Sequence, residues 1–405
     1  MHPDGLDAME HGHVLQQLMA KFIDGHARVD FSSKRSEQAL PFLIEPVNGR
    51  FVAFYEDRES LVDPQFPYIT KIDGIAIEEL LKKFNPTIAQ GSPQFVLRQQ
   101  LRASRDLGTA RKLAGLPATD NVKLQLVSEN GTPKQVELFV ANNSSFYGTW
   151  PRRPMSGIVD DNLGYLRLNQ MDSDAKADIK RWMPRFKDTD GLIVDVRDNG
   201  GGTREALIEL ATHLMTPETK PRVANVCKYR KFDGFRADHL RSRYAFTADQ
   251  YGEREQQAIS EFMATFKPEW EPKESEFSDW HFLVLSKASD DPTPVYKKRV
   301  VILMNEKCFS ATDIFLAAFK GWPNVTLVGQ PSGGGSAKSE DFKLPISQFE
   351  VRCASMASFQ PNGKLYDTNG IEPDSLVIPS PEYFLRGGTD DFLKQAVKVL
   401  KSKQE

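Results

Sequence analysis

The chain has 405 residues, with 52 Lys and Arg against 55 Asp and Glu, for a formal net charge of −3. That near-neutral balance argues against nucleic acid or an anionic membrane as a partner held by bulk charge, and no apolar run reaches the roughly 20 residues of a membrane span. Composition is ordinary for a globular chain, 40% hydrophobic and 26% charged, and the length suits two or three domains.

Three cysteines, Cys227, Cys308 and Cys353, are an odd number without metal-ligand spacing, so neither a disulfide framework nor a zinc site is expected. The first residues lack a basic segment followed by an apolar one. The protein is therefore cytosolic, or its export segment has been removed. Residues 9–24 carry Val14, Leu15, Leu18, Met19 and Phe22 at helical spacing, which predicts a packed amphipathic helix. Asp24-Gly25 reads as its C-cap. His26 follows at once, a place where histidine is usually a cap or surface residue. His11 and His13 read as solvated.

Residues 40–140 read as a β-rich module. Strands at 42–46 and 50–55 flank Val47-Asn48-Gly49, a hairpin signal. A strand at 68–72 ends in Asp73-Gly74, and a short helix follows at 77–84. Residues 92–114 are helical, and a second hairpin surrounds Glu129-Asn130-Gly131. This order resembles a PDZ-like domain with a helical insertion. PDZ domains bind peptide C-termini or extended segments by strand addition. A plain β-rich spacer is the alternative. The stretch 141–160, with Trp150-Pro151 and Arg153-Pro154, reads as a loop and a domain boundary.

A strand at 163–168, a helix at 175–186, an apolar strand at 191–197, a glycine turn and a helix at 205–215 then form a βαβ pattern, hence a parallel sheet. Residues 216–295 look polar, aromatic and irregular, with one helix near 249–266, and read as an insertion covering the active-site face. A second strand-helix-strand unit runs from Val300 to Gly329, and an amphipathic helix at 391–400 closes the chain. Sites in such sheets gather at the carboxyl ends of the strands, where both Gly200-Gly201-Gly202 and Ser310 fall. The triplet lacks the lysine and spacing of a nucleotide loop; bare backbone there suits an oxyanion hole. Ser310 precedes a helix, where serine is most often an N-cap. The same place can hold a nucleophile beside free amides.

Five motifs in order now carry a resemblance. Gly191–Gly202 looks like the "G-L-I-x-D-x-R-x-N-x-G-G" segment of the carboxy-terminal processing (tail-specific) serine peptidase family. Ser310-Ala311-Thr312-Asp313-Ile314-Phe315 resembles its "S-A-S-E-I-F". Residues 328–333, 370–374 and 24–29 are similar to its "V-G-E-x-T-x-G", "G-I-x-P-D" and "D-x-H-T-x-V". The resemblance implies an α/β fold with a crotonase-like ββα catalytic core. It implies an N-terminal helical segment (1–38) carrying the base, an embedded PDZ-like domain (39–141), and a catalytic domain (155–405) with an insertion at about 220–295. The family's Ser–Lys branch has a lysine where this chain has Gly335 or Ser336, and Lys338 is displaced. The tricorn-like branch uses serine, histidine and a carboxylate, which maps onto Ser310, His26 and Asp367. Gly201, Gly200 and Ala311 would supply the oxyanion hole. The resemblance implies peptide or protein substrates, no cofactor or metal, and an exported enzyme; a homo-oligomer is left open. Two alternatives remain: a Ser–Lys peptidase using Lys338, and a non-catalytic carrier like the family's retinoid-binding relatives.

Overall fold

A computed structural model describes residues 7–31, 36–142, 153–232 and 241–402. The expected loop around Trp150 lies mostly outside them. The N-terminal segment carries α1 (Ala8–Met19) and β1 (Arg28–Asp30). The β-rich module contains β2 (Phe42–Val47), β3 (Arg50–Tyr55), β4 (Tyr68–Ile72), β5 (Ile75–Ala76) and α2 (Ile77–Lys82). It continues through α3 (Pro93–Ser104), α4 (Leu107–Ala114), β6 (Asn121–Val127) and β7 (Pro133–Phe139). Next come β8 (Gly157–Val159), β9 (Leu163–Arg167), α5 (Ser173–Trp182), β10 (Gly191–Asp195), α6 (Glu205–Leu214), β11 (Arg222–Tyr229), α7 (Glu253–Met263) and β12 (His281–Leu285). The last part holds β13 (Val300–Met304), α8 (Ala311–Phe319), β14 (Val325–Gly329), β15 (Ser339–Lys343), β16 (Glu350–Ala354), β17 (Met356–Phe359), α9 (Tyr366–Asn369), β18 (Ser375–Leu376) and α10 (Asp391–Lys401).

The fold is mixed α/β. Its central sheet has the order β18-β14-β13-β10-β9-β8, parallel throughout except for the edge strand β8. Every residue of β10 and β13 is buried, because a parallel sheet is covered on both faces. Alternation along each strand decides the cover. Leu192, Val194, Val300 and Ile302 join α5, α6 and α8 in one core. Ile193, Val301 and Leu303 join α10 and the module's Leu43, Val52 and Phe54 in another. The β-rich module, with strand order β2-β3-β4-β6-β7, therefore forms part of the sheet's second cover.

A buried ion pair crosses the same contact: Lys307 Nζ lies 3.0 Å from Glu45 Oε1, and both residues are over nine-tenths buried. Burial pushes the Glu45 carboxyl up, and Lys307 opposes that rise. Removing Lys307 alone strands a carboxylate in an apolar contact. Lys307→Met is expected to cost about 3–5 kcal/mol in urea unfolding, with most of it regained in Glu45→Gln/Lys307→Met. A single variant as stable as wild type would contradict this.

Four expectations need correcting. The first helix ends at Met19 rather than at Asp24. Its predicted packed face is largely open, with Val14, Leu18 and Phe22 each about half exposed; the helix packs instead through Leu15 and Met19 on Ala27, Val29, Phe31 and Val351. The helical stretch 92–114 is two helices, because Asp106 accepts from Thr109 N (2.9 Å) and starts a new one. Residues 216–295 are not irregular: β11 and β12 pair with β17 in an antiparallel sheet, order β12-β11-β17.

Candidate active site

Ser310 lies between β13 and α8 with φ 62° and ψ −118° and makes no side-chain capping bond. It stands at the N-cap position of α8, but its hydroxyl does not cap the helix. A non-glycine residue at positive φ costs about 1–3 kcal/mol and persists only where its surroundings force it. Here Phe309 N donates to Asn199 O (3.1 Å), Gly333 N to Cys308 O (2.7 Å) and Asp313 N to Ser310 O (3.0 Å). The buried Cys308 thiol donates to Val196 O at 3.1 Å, so it is a structural anchor.

His26, 284 residues earlier, brings Nε2 to 3.3 Å from Ser310 Oγ. Its ring packs on Phe309 (centroids 4.7 Å), and Phe309 stacks on Phe95 of α3 (5.2 Å). Two carboxylates lie near the ring. Asp24, buried, accepts from His26 N through Oδ1 (2.9 Å) and from Ala354 N of β16 through Oδ2 (2.7 Å). The same Oδ1 is 3.7 Å from His26 Nδ1. Asp367, in the first turn of α9, completes a group in which one ligand atom each from Asp24, His26 and Asp367 lies within 4.8 Å of the others. His26 Nδ1 and Asp367 Oδ1 are both shielded from solvent without a hydrogen-bond partner. Such a set could also ligate a cation, but Nε2 is turned to Ser310, which suits acid–base use of the ring. Sequence reasoning missed Asp24 because it sat in a C-cap signal; its two-residue spacing from His26 was the available clue.

Burial raises the Asp367 carboxyl to about 6, with His26 opposing the rise and Asp24 adding to it. Between about pH 4 and about 6 the folded protein thus holds a proton here that the unfolded chain has released. Stability contributed by the neutral acid is lost as pH climbs from the unfolded value, about 4, through about 6. Asp367→Asn removes that loss. Its stability relative to wild type is expected to improve by about 2–3 kcal/mol between pH 4 and pH 7 in urea titrations. A pH-independent difference would mean that Asp367 is not held in this environment.

The glycine turn abuts Ser310. Gly201 has φ 102°, and a Cβ there would stand 2.6 Å from Phe309 O, 2.7 Å from Ser310 Cβ and 2.8 Å from Ala311 N. The expectation that the Gly201 amide is a free oxyanion donor needs correcting, because it donates to Asn199 Oδ1 at 2.9 Å. The amides of Ala311 and Gly200 have no partner among the described residues. Asn199, fully buried, is the organiser that sequence reasoning passed over. Besides Gly201, its side chain binds Leu168 O (3.0 Å) and the Thr312 hydroxyl (2.8 Å).

The ammonium of Lys338, the alternative base, is paired with Glu340. Where the Ser–Lys branch would have its lysine, Gly335 (φ 137°) leaves room for the Phe309 ring, which an added Cβ would enter at 2.5 Å. The β-rich module holds this loop in place. Ser92 Oγ donates to Gly333 O (2.5 Å), and Gln94 Nε2 donates to Ser332 O (2.6 Å) and Asn369 O (3.0 Å). From the catalytic side, the Asp313 carboxyl accepts from Ser332 Oγ and from Gly334 N (3.1 Å).

The description of peptidase family S41 matches residues 162–377, just over half of the chain. The chain belongs to peptidase family S41. It is a serine peptidase, as the five motifs implied, and its backbone follows that of a solved relative. Mature CPAF is similar at 16% identity and a TM-score of 0.65, covering 97% of this chain and 87% of that one. Mature CPAF complexed with lactacystin is similar at 15% identity and 0.63, covering 97% and 88%. At such identities the likeness speaks for the fold, and the roles of individual residues in this S41 peptidase rest on its own geometry.

Proposed function

We propose that this S41 peptidase is an endopeptidase that cleaves peptides or protein C-terminal regions through an acyl-enzyme on Ser310. The observation that carries the reading is the 3.3 Å approach of His26 Nε2 to the hydroxyl of a serine held at positive φ. His26 takes the Ser310 proton as Oγ attacks the scissile carbonyl and returns it to the leaving amine. Asp367, with Asp24 beside it, orients the ring and stabilises the imidazolium. The amides of Ala311 and Gly200 receive the oxyanion, and Gly201 permits the close approach. Water then repeats the sequence to release the acyl group.

Residues 1–38 carry the base, 39–141 form a PDZ-like unit that receives the substrate tail, and 155–405 form the catalytic domain. A fluorophosphonate probe tests the chemistry. Labelling of the folded wild type that disappears in Ser310→Ala supports it; a wild type that never labels would return the chain to the non-catalytic carrier reading.

A further inference from the structure

Beside the glycine turn lie two arginines, Arg204 and Arg243. Arg204, 97% buried by its 3% exposure, donates from Nη1 to Gly202 O at 3.4 Å. Arg243, half-buried, donates from its own Nη1 to the same carbonyl at 3.4 Å. Neither guanidinium meets a carboxylate among the described residues, and the Nε of each is shielded from solvent and unpartnered. The Tyr366 hydroxyl, on the residue before Asp367, is buried and unpartnered as well. Burial and the neighbouring Arg243 push the Arg204 guanidinium down to about 10. Two like charges pressed onto one carbonyl are costly unless an anion joins them. The nearest acid in sequence, Glu205, is committed elsewhere, to Lys176 (3.3 Å) and the Tyr244 hydroxyl (3.4 Å). Arg204 is also the N-cap of α6 and makes no side-chain capping bond, so that helix's positive end adds to the field.

Position gives the pair a purpose. Gly202 follows Gly201, where an added Cβ would stand 2.7 Å from Ser310 Cβ, and successive Cα atoms are about 3.8 Å apart. We infer that Arg204 and Arg243 form a carboxylate-binding site beside Ser310 that selects peptides with an acidic group within about two residues of the cleaved bond. This rests on the peptidase reading above. Planar guanidinium forks match a carboxylate. Its source is an Asp or Glu side chain or the free C-terminus of the substrate.

Two matched peptide libraries separate these sources, with cuts mapped by mass spectrometry. In one, all C-termini are amidated and internal Glu is paired with Gln; in the other, internal residues are neutral and a free C-terminus is paired with an amide. Wild type is expected to favour the charged member of at least one library by about 10- to 100-fold in kcat/KM. Each variant is read as a ratio of charged to neutral, so a general loss of activity cancels. Arg243→Gln is expected to bring that ratio to within about threefold of unity, and Arg243→Lys to restore part of it. Arg243 is used because it sits at the edge, where Arg204→Gln risks the fold. Anisotropy with labelled peptides and Ser310→Ala protein reports the same preference without hydrolysis, so failure of the peptidase reading stays distinguishable. A wild-type ratio near one in both libraries, or one unmoved by Arg243→Gln, would overturn the inference.

Discussion

His26→Ala is expected to lower kcat/KM for peptide hydrolysis by about 10⁴-fold or more, whereas Lys338→Ala stays within about threefold of wild type. The contrast follows from where the two bases lie. His26 Nε2 is 3.3 Å from Ser310 Oγ, while the Lys338 ammonium is held by Glu340. Without an acceptor for its proton, a serine hydroxyl at neutral pH is a weak nucleophile. His26 is only partly buried, with 19% of its side chain exposed, so truncation is expected to leave the core intact, and circular dichroism is the check that each variant is folded. Loss of hydrolysis in Lys338→Ala with retention in His26→Ala would reinstate the Ser–Lys mechanism.

The second large effect is expected at Gly201. Gly201→Ala should lower kcat by about 10²- to 10³-fold or more, the range seen when an oxyanion donor is lost. The added methyl group has nowhere to go. It would meet Phe309 O, Ser310 Cβ and Ala311 N at 2.6–2.8 Å, and φ of 102° is itself strained for alanine. Relief of those contacts must move the Ser310–Ala311 backbone. Gly200→Ala is the control. Nothing lies within 4 Å of a Cβ there, so kcat should change by no more than about threefold, since alanine keeps the amide. Equal effects at both glycines would show that the turn does not touch the nucleophile as described.

The catalytic sheet was legible because its strands announce themselves. VVILM and GLIVD are uniformly apolar, which is what burial on two faces requires. The antiparallel sheet was not, because β11 hides polar groups with private partners. Asn225 accepts from the Ser358 hydroxyl (2.9 Å), and Lys228 lies over the Trp280 ring (4.8 Å). Burial satisfied in this way leaves no trace in a hydropathy pattern. Motif order pointed to Ser310, His26 and Asp367, and the fold sets His26 beside Ser310 and Asp367 near His26. Spacing could not say which amide in a run of glycines is already spent, because that depends on Asn199 folding back. A buried arginine such as Arg204 reads in sequence as surface charge.

The 284-residue separation between His26 and Ser310 has a consequence for biosynthesis. At a ribosomal pace of about 5–20 residues per second, roughly 15–60 s pass between the emergence of His26 and that of Ser310, with Asp367 later still. The module whose α3 anchors the active-site loops is complete well before those loops exist. On the proposed mechanism the reacting groups meet only once the last third of the polypeptide has folded against the first.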